Sequence, residues 1–499
     1  MTFDLNRQLV WKDAHAATSP GAAADLAMLN DLQGNILKGH GRGYTSNLFI
    51  SFDRSKHDAA CEFVQSIGND VVAGLDQLLK AEAFRKSGVG GGTFVMFLLT
   101  AKGYDALGRI DAKPVDAAFE AGMQHRNLGD PQVDQWEPHL ASEIHALILI
   151  GAETAPLRDI ERDKMVQRIN ATAGAVTLLN PAFGEDGNAL KNAAGVGLEH
   201  FGYADGVSQP LALKEDFDAA KAAAGGNLKW DPSIHLSQLL VPCPGGKLNV
   251  SFGSYFVFRK LEQKVRDFKT REDALSDHLA QSFGLPKDSV DSGASVVGRF
   301  ENGRPFAIFD DEGTNVTGDP DNNFDFSDDP QGLKCPFAAH IRKSNPRSDI
   351  DKSILHLMAR RGIPYGVRTD DPNDDRLDNK PTGGVGLLFM AFQSSISNQF
   401  EFTQNAWVNN VEFRNGKAGG SPGPVIDRAM GKPVNPSNPT TGRDGVIGQP
   451  AGPSKQRWTI EWGKRLSNGD DSDDFSGFVT LKGGEYFFAP SISFLKSIK

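Results

Sequence analysis

Apolar positions recur along this chain first in short alternating runs and then in helical spacing, in a succession that predicts a compact set of elements. Leu48-Phe-Ile-Ser-Phe52 reads as a strand, and Lys56 to Ile67 carries a helical pattern. Thr93 to Thr100 gives a second strand, followed by a helix-like stretch from Ala101 to Leu107. Glu143 to Ile150 gives a third. Leu157 to Ala171 is a long helix whose Arg, Asp and Lys residues mark a solvated face, and Val176 to Leu179 a fourth strand. Strand, helix, strand, strand, helix, strand is the ferredoxin-like order.

The pattern then recurs. Ser251 to Arg259 reads as a strand, Gln263 to Ser282 as a helix, and Gly386 to Phe392 as a strand leading into a helix from Asn398 to Val408. Between the halves, the Ala-rich helix Lys214 to Gly226 fades into glycines, and Pro242-Cys-Pro-Gly-Gly246 is a strong breaker. The expected class is therefore α+β: two ferredoxin-like domains, residues 1–245 and 246–499, with antiparallel sheets and peripheral helices. Asp310 to Pro330 and Gly416 to Ser454 are expected to be surface loops. Asp319, Asp321 and Asn323 resemble the start of a calcium loop, but Phe324 stands where a glycine is needed and Pro330 where a glutamate is needed. Gly88-Val-Gly-Gly-Gly-Thr93 precedes a strand instead of following one, so it is a turn and not a nucleotide loop.

Composition narrows the partners. At 499 residues the chain exceeds one ordinary core, and 39% hydrophobic with 23% charged residues is usual for a folded protein. The net charge of −10, with no basic cluster, argues against nucleic acid and anionic membrane. Cys61, Cys243 and Cys335 are too dispersed for a disulfide framework or a zinc site. With no twin arginine and no apolar leader core at the N-terminus, a cytoplasmic location is expected. The longest apolar runs, Ile144 to Ala152 and Val385 to Phe392, are much shorter than the roughly 20 residues of a membrane span.

Three islands hold candidate chemistry. Phe201 to Pro210 reads F-G-Y-A-D-G-V-S-Q-P and sets the carboxylate of Asp205 in a Gly-bracketed turn. Cys335 to Arg347 contains His340 among small and aromatic residues, and Ala359 to Gly366 carries Arg360 and Arg361 before a turn. Leu387 and Phe389 share one face of their strand. Each island alone is ordinary: an Asp-Gly turn, one of 11 histidines, a solvated Arg pair, core. An acid, a histidine and an arginine together suggest a haem site, since haem iron takes an axial donor and catalysis needs polar groups nearby.

In combination these segments closely resemble the dye-decolourising peroxidases. The resemblance rests on G-Y-A-D-G-V-S-Q-P at Gly202 to Pro210, H-I-R-K-S-N-P-R at His340 to Arg347, R-R-G-I-P-Y-G at Arg360 to Gly366 and D-L-Q-G-N-I-L-K at Asp31 to Lys38. It spans Asp31 to Phe488, and the long loops are similar to the larger bacterial and fungal branches. It implies one haem b per chain, with His340 as proximal iron ligand, Asp205 as distal acid/base and Arg360 as distal arginine. Gly206, Val207, Ser208 and Gln209 would lie along the cofactor, Arg342 would hold a propionate, and Leu387 and Phe389 would line the distal pocket. Glu401 would be the hydrogen-bond partner of His340. Trp407, Tyr365, Trp458 and Tyr486 are, by residue type, candidates for a surface electron relay.

The implied reaction reduces hydrogen peroxide and oxidises bulky aromatic or dye-like donors one electron at a time. Because a carboxylic acid titrates below an imidazole, activity is expected to be favoured on the acid side. Two other classes compete: a haem-handling protein with little turnover, which needs His340 but not Asp205 with Arg360, and a non-haem interaction protein in which all three residues are structural.

Overall fold

In the first half of the chain, alternating apolar residues build the strands β1 (Tyr44–Phe52), β2 (Phe94–Leu99) and β3 (Ala146–Ala152), with the short β4 (Val176–Leu178) and β5 (Glu185–Asn188). Helix α1 (His57–Gly68) connects β1 towards β2, and α2 (Ala155–Asn170) connects β3 to β4. All ladders are antiparallel: β1 pairs with β3 on one side and with β4 and β5 on the other, and β2 lies beyond β3. The spatial order β4-β1-β3-β2 is the ferredoxin-like arrangement. The structure, a computed structural model, describes residues 3–19, 21–180, 185–313, 321–330, 332–374, 376–411, 413, 426–427, 432–433, 442–449, 454–459, 462 and 472–498. Most of the stretch 416–454 and residue 319 therefore lie outside the described residues.

Residues 252–489 repeat the arrangement. Strand β6 (Phe252–Gln263) leads into helix α3 (Val265–Phe283), followed by β7 (Ile363–Tyr365), β8 (Gly386–Gln393), α4 (Phe400–Phe402) and β9 (Val479–Ala489). Helix α4 runs on as a π-helical stretch, Thr403–Val408. The order β9-β6-β8-β7 is again ferredoxin-like and again antiparallel. Two elements of this unit differ from expectation. Gly362 to Tyr365 reads as part of a turn but supplies strand β7, and with β9 it completes a sheet that sequence periodicity left two strands short. In the first half, the helix Gly74–Ser87 was not anticipated; it ends at Gly88, whose φ of +69° makes the glycine run a helix stop.

The two sheets meet edge to edge. Tyr365 of β7 pairs with Gly187 of β5, and Phe488 of β9 pairs with Leu99 of β2, so eight strands close into a ring. Strand parity then sorts the core. Phe49, Leu147, Leu149, Phe256, Phe258, Leu388 and Phe487 form one cluster that spans both units, while Leu48, Ile50, Phe97, Val257 and Phe488 pack on the other face with the helices. The early D-L-Q-G segment staples the ring: Gln33 Nε2 donates to Phe97 O and Pro490 O, both at 2.7 Å, and Asp31 accepts from Ser493 N at 2.7 Å. Among the described residues, no helix is long and apolar enough to cross a membrane.

Among the described residues, one buried acid on β9 has no cationic partner. Glu485 Oε1 accepts from Met123 N and Tyr486 N, and burial pushes its carboxyl up to about 7 from 4.5. Between those values the folded protein keeps a proton that the unfolded chain releases, so this group's stabilising contribution falls as pH rises from about 4.5 to 7. Glu485→Gln keeps the acceptor and removes the titration. In urea unfolding at pH 5, 6, 7 and 8, the stability of this variant relative to wild type is expected to rise with pH up to 7 and then level off; a constant difference would contradict the assignment.

Candidate active site

The turn around Asp205 is shaped by two glycines and a neighbouring acid. Gly202 (φ +100°) and Gly206 (φ +74°) adopt left-handed angles that favour glycine. Glu199 clamps the turn from behind, accepting from Phe201 N at 2.9 Å and Tyr203 N at 3.0 Å. Burial pushes the Glu199 carboxyl up to about 7. Asp205 itself is exposed, with Oδ1 accepting from Gly206 N at 2.6 Å.

Arg360 reaches this turn from the other half of the chain. It lies in a two-residue strand, Ala359–Arg360, paired with β8, not in a turn. Its backbone N donates to Gln209 Oε1 at 3.1 Å and its Nη2 donates to Ser208 O. Burial lowers its pKa, against the opposing charge of Asp205. Arg361 turns the other way and donates to Asn35 O and Ile36 O at 2.7 and 2.9 Å.

His340 opens a five-residue helix, His340–Ser344. Its Nδ1 lies 2.8 Å from Asp444 Oδ2, while its Nε2 has no partner among the described residues. Asp444 is fully buried; its other oxygen accepts from Val446 N at 2.8 Å and Ile447 N at 3.0 Å. Burial opposes charge on both groups, but the pairing wins: His340 is raised above its ordinary value and Asp444 is held below its own. The carboxylate therefore fixes the proton on Nδ1 and leaves the Nε2 lone pair free for a metal.

These segments converge on one cavity of about 250 Å³. Asp205, Gly206, Val207, Ser208, Gln209, His340 and Arg360 all line it. So do Leu387 and Phe389, on the face of β8 opposite the core residues Leu388 and Met390. The π-helical stretch adds Thr403, Gln404 and Val408.

No protein-family model matches the chain. It is 41% identical over 511 residues to the multifunctional dye peroxidase DyP2 of Amycolatopsis, covering 100% of both chains, and that protein's structure superposes with a TM-score of 0.85. The dye-decolorizing peroxidase msp1 of Mycetinis scorodonius is 30% identical over 97% of this chain and 90% of its own. A DyP-type peroxidase of Anabaena superposes with a TM-score of 0.83 at 34% identity, over 99% of each chain. The chain belongs to the dye-decolourising peroxidase family.

Members of this family are haem enzymes, and the cavity has the chemistry such a cofactor requires. Its walls include Leu261, Val297, Phe389, Val408, Ile447 and Val479, apolar surfaces suited to a flat macrocycle, beside an imidazole with a free Nε2. Arg299 and Arg347 also line it. Both guanidiniums are buried on carbonyls and on Asn322 Oδ1, and among the described residues neither makes an ion pair with a carboxylate. Burial lowers the pKa of each, and each Arg347 proton is further disfavoured by Arg299. Asn345 Oδ1, also at the cavity, is buried without a partner among the described residues. Two unpaired cations at one cavity match the two propionates of a haem.

Three expectations from the sequence need correction. Arg342 is not available to a propionate: it is fully buried between the Phe326 and Phe337 rings, and all five of its N–H groups are spent on Asp329, Asp349 and the Cys335 and Asp329 carbonyls. Two residues along a helix from His340, it points to the opposite side. Glu401 is not the partner of His340. Its oxygens are held by Arg126 at 2.7 and 2.6 Å and by Tyr486 Oη at 3.0 Å, and Asp444 takes the place expected for it. Trp407, Tyr365, Trp458 and Tyr486 are not at the surface, since all four are buried.

Sequence reasoning missed Asp444, Glu199, Arg299 and Arg347. Arg347 stands within the quoted His340 segment, where a role could have been sought, whereas Asp444 lies 104 residues from His340, inside the Pro- and Gly-rich stretch that reads as a surface loop.

Two outcomes follow. Asp444→Ala should weaken haem retention by about 10–100-fold, the usual effect of removing a metal ligand's partner, as measured by haem transfer to apomyoglobin. Arg342→Leu should instead cost about 3–5 kcal/mol of stability in urea unfolding, because it removes the buried guanidinium that pairs with both Asp329 and Asp349, while leaving haem transfer from the folded fraction near the wild-type rate.

Proposed function

We propose that the protein is a haem-dependent peroxidase that reduces hydrogen peroxide and oxidises aromatic, dye-like donors one electron at a time. The observation that carries this reading is the convergence of His340, Asp205 and Arg360 on one cavity. The cofactor is taken to be one haem b per chain. When bound, it would supply the redox chemistry, accepting oxidising equivalents from peroxide and passing them on singly.

The side chains divide the remaining work. His340 offers Nε2 to the iron, and Asp444 on Nδ1 raises the basicity of the ring and fixes its orientation. Arg299 and Arg347 would hold the two propionates, each gaining an ion pair that it does not make among the described residues. Asp205 takes the proton from one peroxide oxygen and returns it to the other, so that water can leave. Arg360, anchored through Ser208 O, stabilises the negative charge that develops as the O–O bond breaks. Leu387 and Phe389 keep the space near these groups apolar and small. A bulky dye is thereby kept from the iron, so its electrons must cross protein.

A haem-handling protein with little turnover would need His340 but not Asp205 and Arg360 poised at the same cavity, so that reading is not favoured. We also divide the chain into units at 245–246, between the strand sets 44–188 and 252–489. A cytoplasmic location is proposed on its three free, buried cysteines, Cys61, Cys243 and Cys335.

The test is spectroscopic. The purified holoprotein should show a Soret band that shifts on adding peroxide, and stopped-flow should find that step slowed about 10²–10⁴-fold in Asp205→Asn and about 10²–10³-fold in Arg360→Leu, with haem retained in both. Wild-type rates in both variants would overturn the assignment.

A further inference from the structure

Resting on the peroxidase reading for what fills the cavity, we propose that Gln263 decides whether one stretch of the cavity wall donates or accepts hydrogen bonds, and that Glu199 turns the Gln263 amide round by gaining or losing a proton. Both residues line the cavity: Glu199 stands behind the turn that carries Asp205, and Gln263 ends β6 in the other half of the chain.

Both oxygens of Glu199 are committed. Oε1 accepts from Tyr203 N at 3.0 Å, and Oε2 accepts from Phe201 N at 2.9 Å and from Gln263 Nε2. Three donors suit a carboxylate, yet burial pushes this group up to about 7, so below that value it is a neutral acid with a proton of its own to donate. An acid O–H in an enclosed site needs an acceptor. The two backbone N–H groups cannot supply one, because the turn fixes their direction. Gln263 can: its Oε1 is buried without a partner among the described residues, and half a turn about the last side-chain bond exchanges Oε1 for Nε2. The backbone of Gln263 stays in place throughout, since its N donates to Val385 O at 2.9 Å.

The two states differ in what they leave for an occupant of the cavity. With Glu199 ionised, the carboxylate holds Nε2 and the Oε1 acceptor is left over. With Glu199 protonated, Oε1 takes the acid proton and the Nε2 donors are left over instead. Below about 7 the wall therefore favours an anion, and above it an occupant that brings an O–H or N–H.

The charges around Glu199 leave this titration in place. Asp205, on the same turn, repels a second negative charge and reinforces the upward shift. Burial lowers the adjacent His200 to about 4, so it stays neutral through the transition. On α3, Lys269 is paired with Glu272 and also with Glu301, while Arg368, which donates to His200 O, is paired with Asp370.

The first experiment is nuclear magnetic resonance of the reduced, carbon monoxide-bound holoenzyme, which is diamagnetic, labelled with nitrogen-15 in glutamine and phenylalanine. Phe201 N and Gln263 Nε2 converge on one oxygen, so their protons lie close together while Glu199 is ionised. A cross-relaxation peak between a glutamine side-chain amide and a phenylalanine backbone amide, absent from Gln263→Leu, is expected at pH 9 and lost at pH 5, with its midpoint near 7; in Glu199→Gln it should not depend on pH. A peak that persists at pH 5 in the wild type, or is missing at pH 9, overturns the proposal. The second experiment follows formate binding to the ferric holoenzyme by the Soret band. Between pH 6 and pH 8 the affinity should fall about tenfold further in the wild type than in Glu199→Gln or Gln263→Leu, the worth of one hydrogen bond to an anion. The full fall retained in Gln263→Leu would mean that the charge of Glu199 acts without the amide, and overturns the proposal as well. A wild-type Soret band unmoved by peroxide overturns the peroxidase reading without changing either of these readouts, which keeps the two failures distinct.

Discussion

Edge-to-edge closure of the two sheets is the constraint on which the site depends. An open sheet edge leaves backbone donors and acceptors unpaired, and closing the ring removes that liability at both ends of each sheet. At one joint, β5 meets β7 through Gly187 and Tyr365, and a Cβ on Gly187 would clash with Ile363 Cγ2 and Thr45 Oγ1. The missing side chain lets the strands meet. Because they meet there, Arg360, three residues before Ile363, comes within reach of Ser208 and Gln209 from the first half of the chain. The acid and the arginine of the site are thus brought together by backbone pairing between units, not by any local motif.

Buried guanidiniums show how far a residue type can mislead without its surroundings. Arg342 has every N–H committed to two carboxylates and two carbonyls, so it is complete and serves the fold. Arg299 and Arg347 are equally enclosed but rest on carbonyls and on Asn322 Oδ1, and neither makes an ion pair with a carboxylate among the described residues. A buried cation without an anion is costly, and the cost falls when an anionic ligand arrives. The arginines that remain incomplete are those that face the cavity.

Most of the long strands and helices were legible because their apolar residues repeat over many positions, and β8 even revealed which face Leu387 and Phe389 would share, whereas the helix Gly74–Ser87 and strand β9 were not read from the sequence. Three-residue β7, interrupted by Pro364 and preceded by Gly362, is too short for any period to emerge and was read as turn. Strand register at the two joints rests on single residue pairs, which leave no pattern in sequence. Within the site, the three islands carrying Asp205, His340 and Arg360 were visible as local clusters of glycine, proline and charge. Their partners were not. Asp444 pairs with His340 across 104 residues, and Arg342 looked like a haem ligand's neighbour only because helical geometry, which turns it away, is not apparent from adjacency.

Four carboxyl groups in or beside the cavity are told apart by what each oxygen touches. Both oxygens of Asp444 are occupied, by His340 on one side and two backbone N–H groups on the other. Both oxygens of Glu401 are occupied by Arg126, Tyr486 and Ser397. Glu199 spends its pair on Phe201 N, Tyr203 N and Gln263. A group that shuttles a proton must have an oxygen free to gain and lose it. Asp205 is the one of the four with such an oxygen, because the turn that carries it commits only Oδ1, to Gly206 N. The two glycines matter for that reason: they let the backbone bend so that the carboxylate satisfies the turn with one oxygen and presents the other to the cavity.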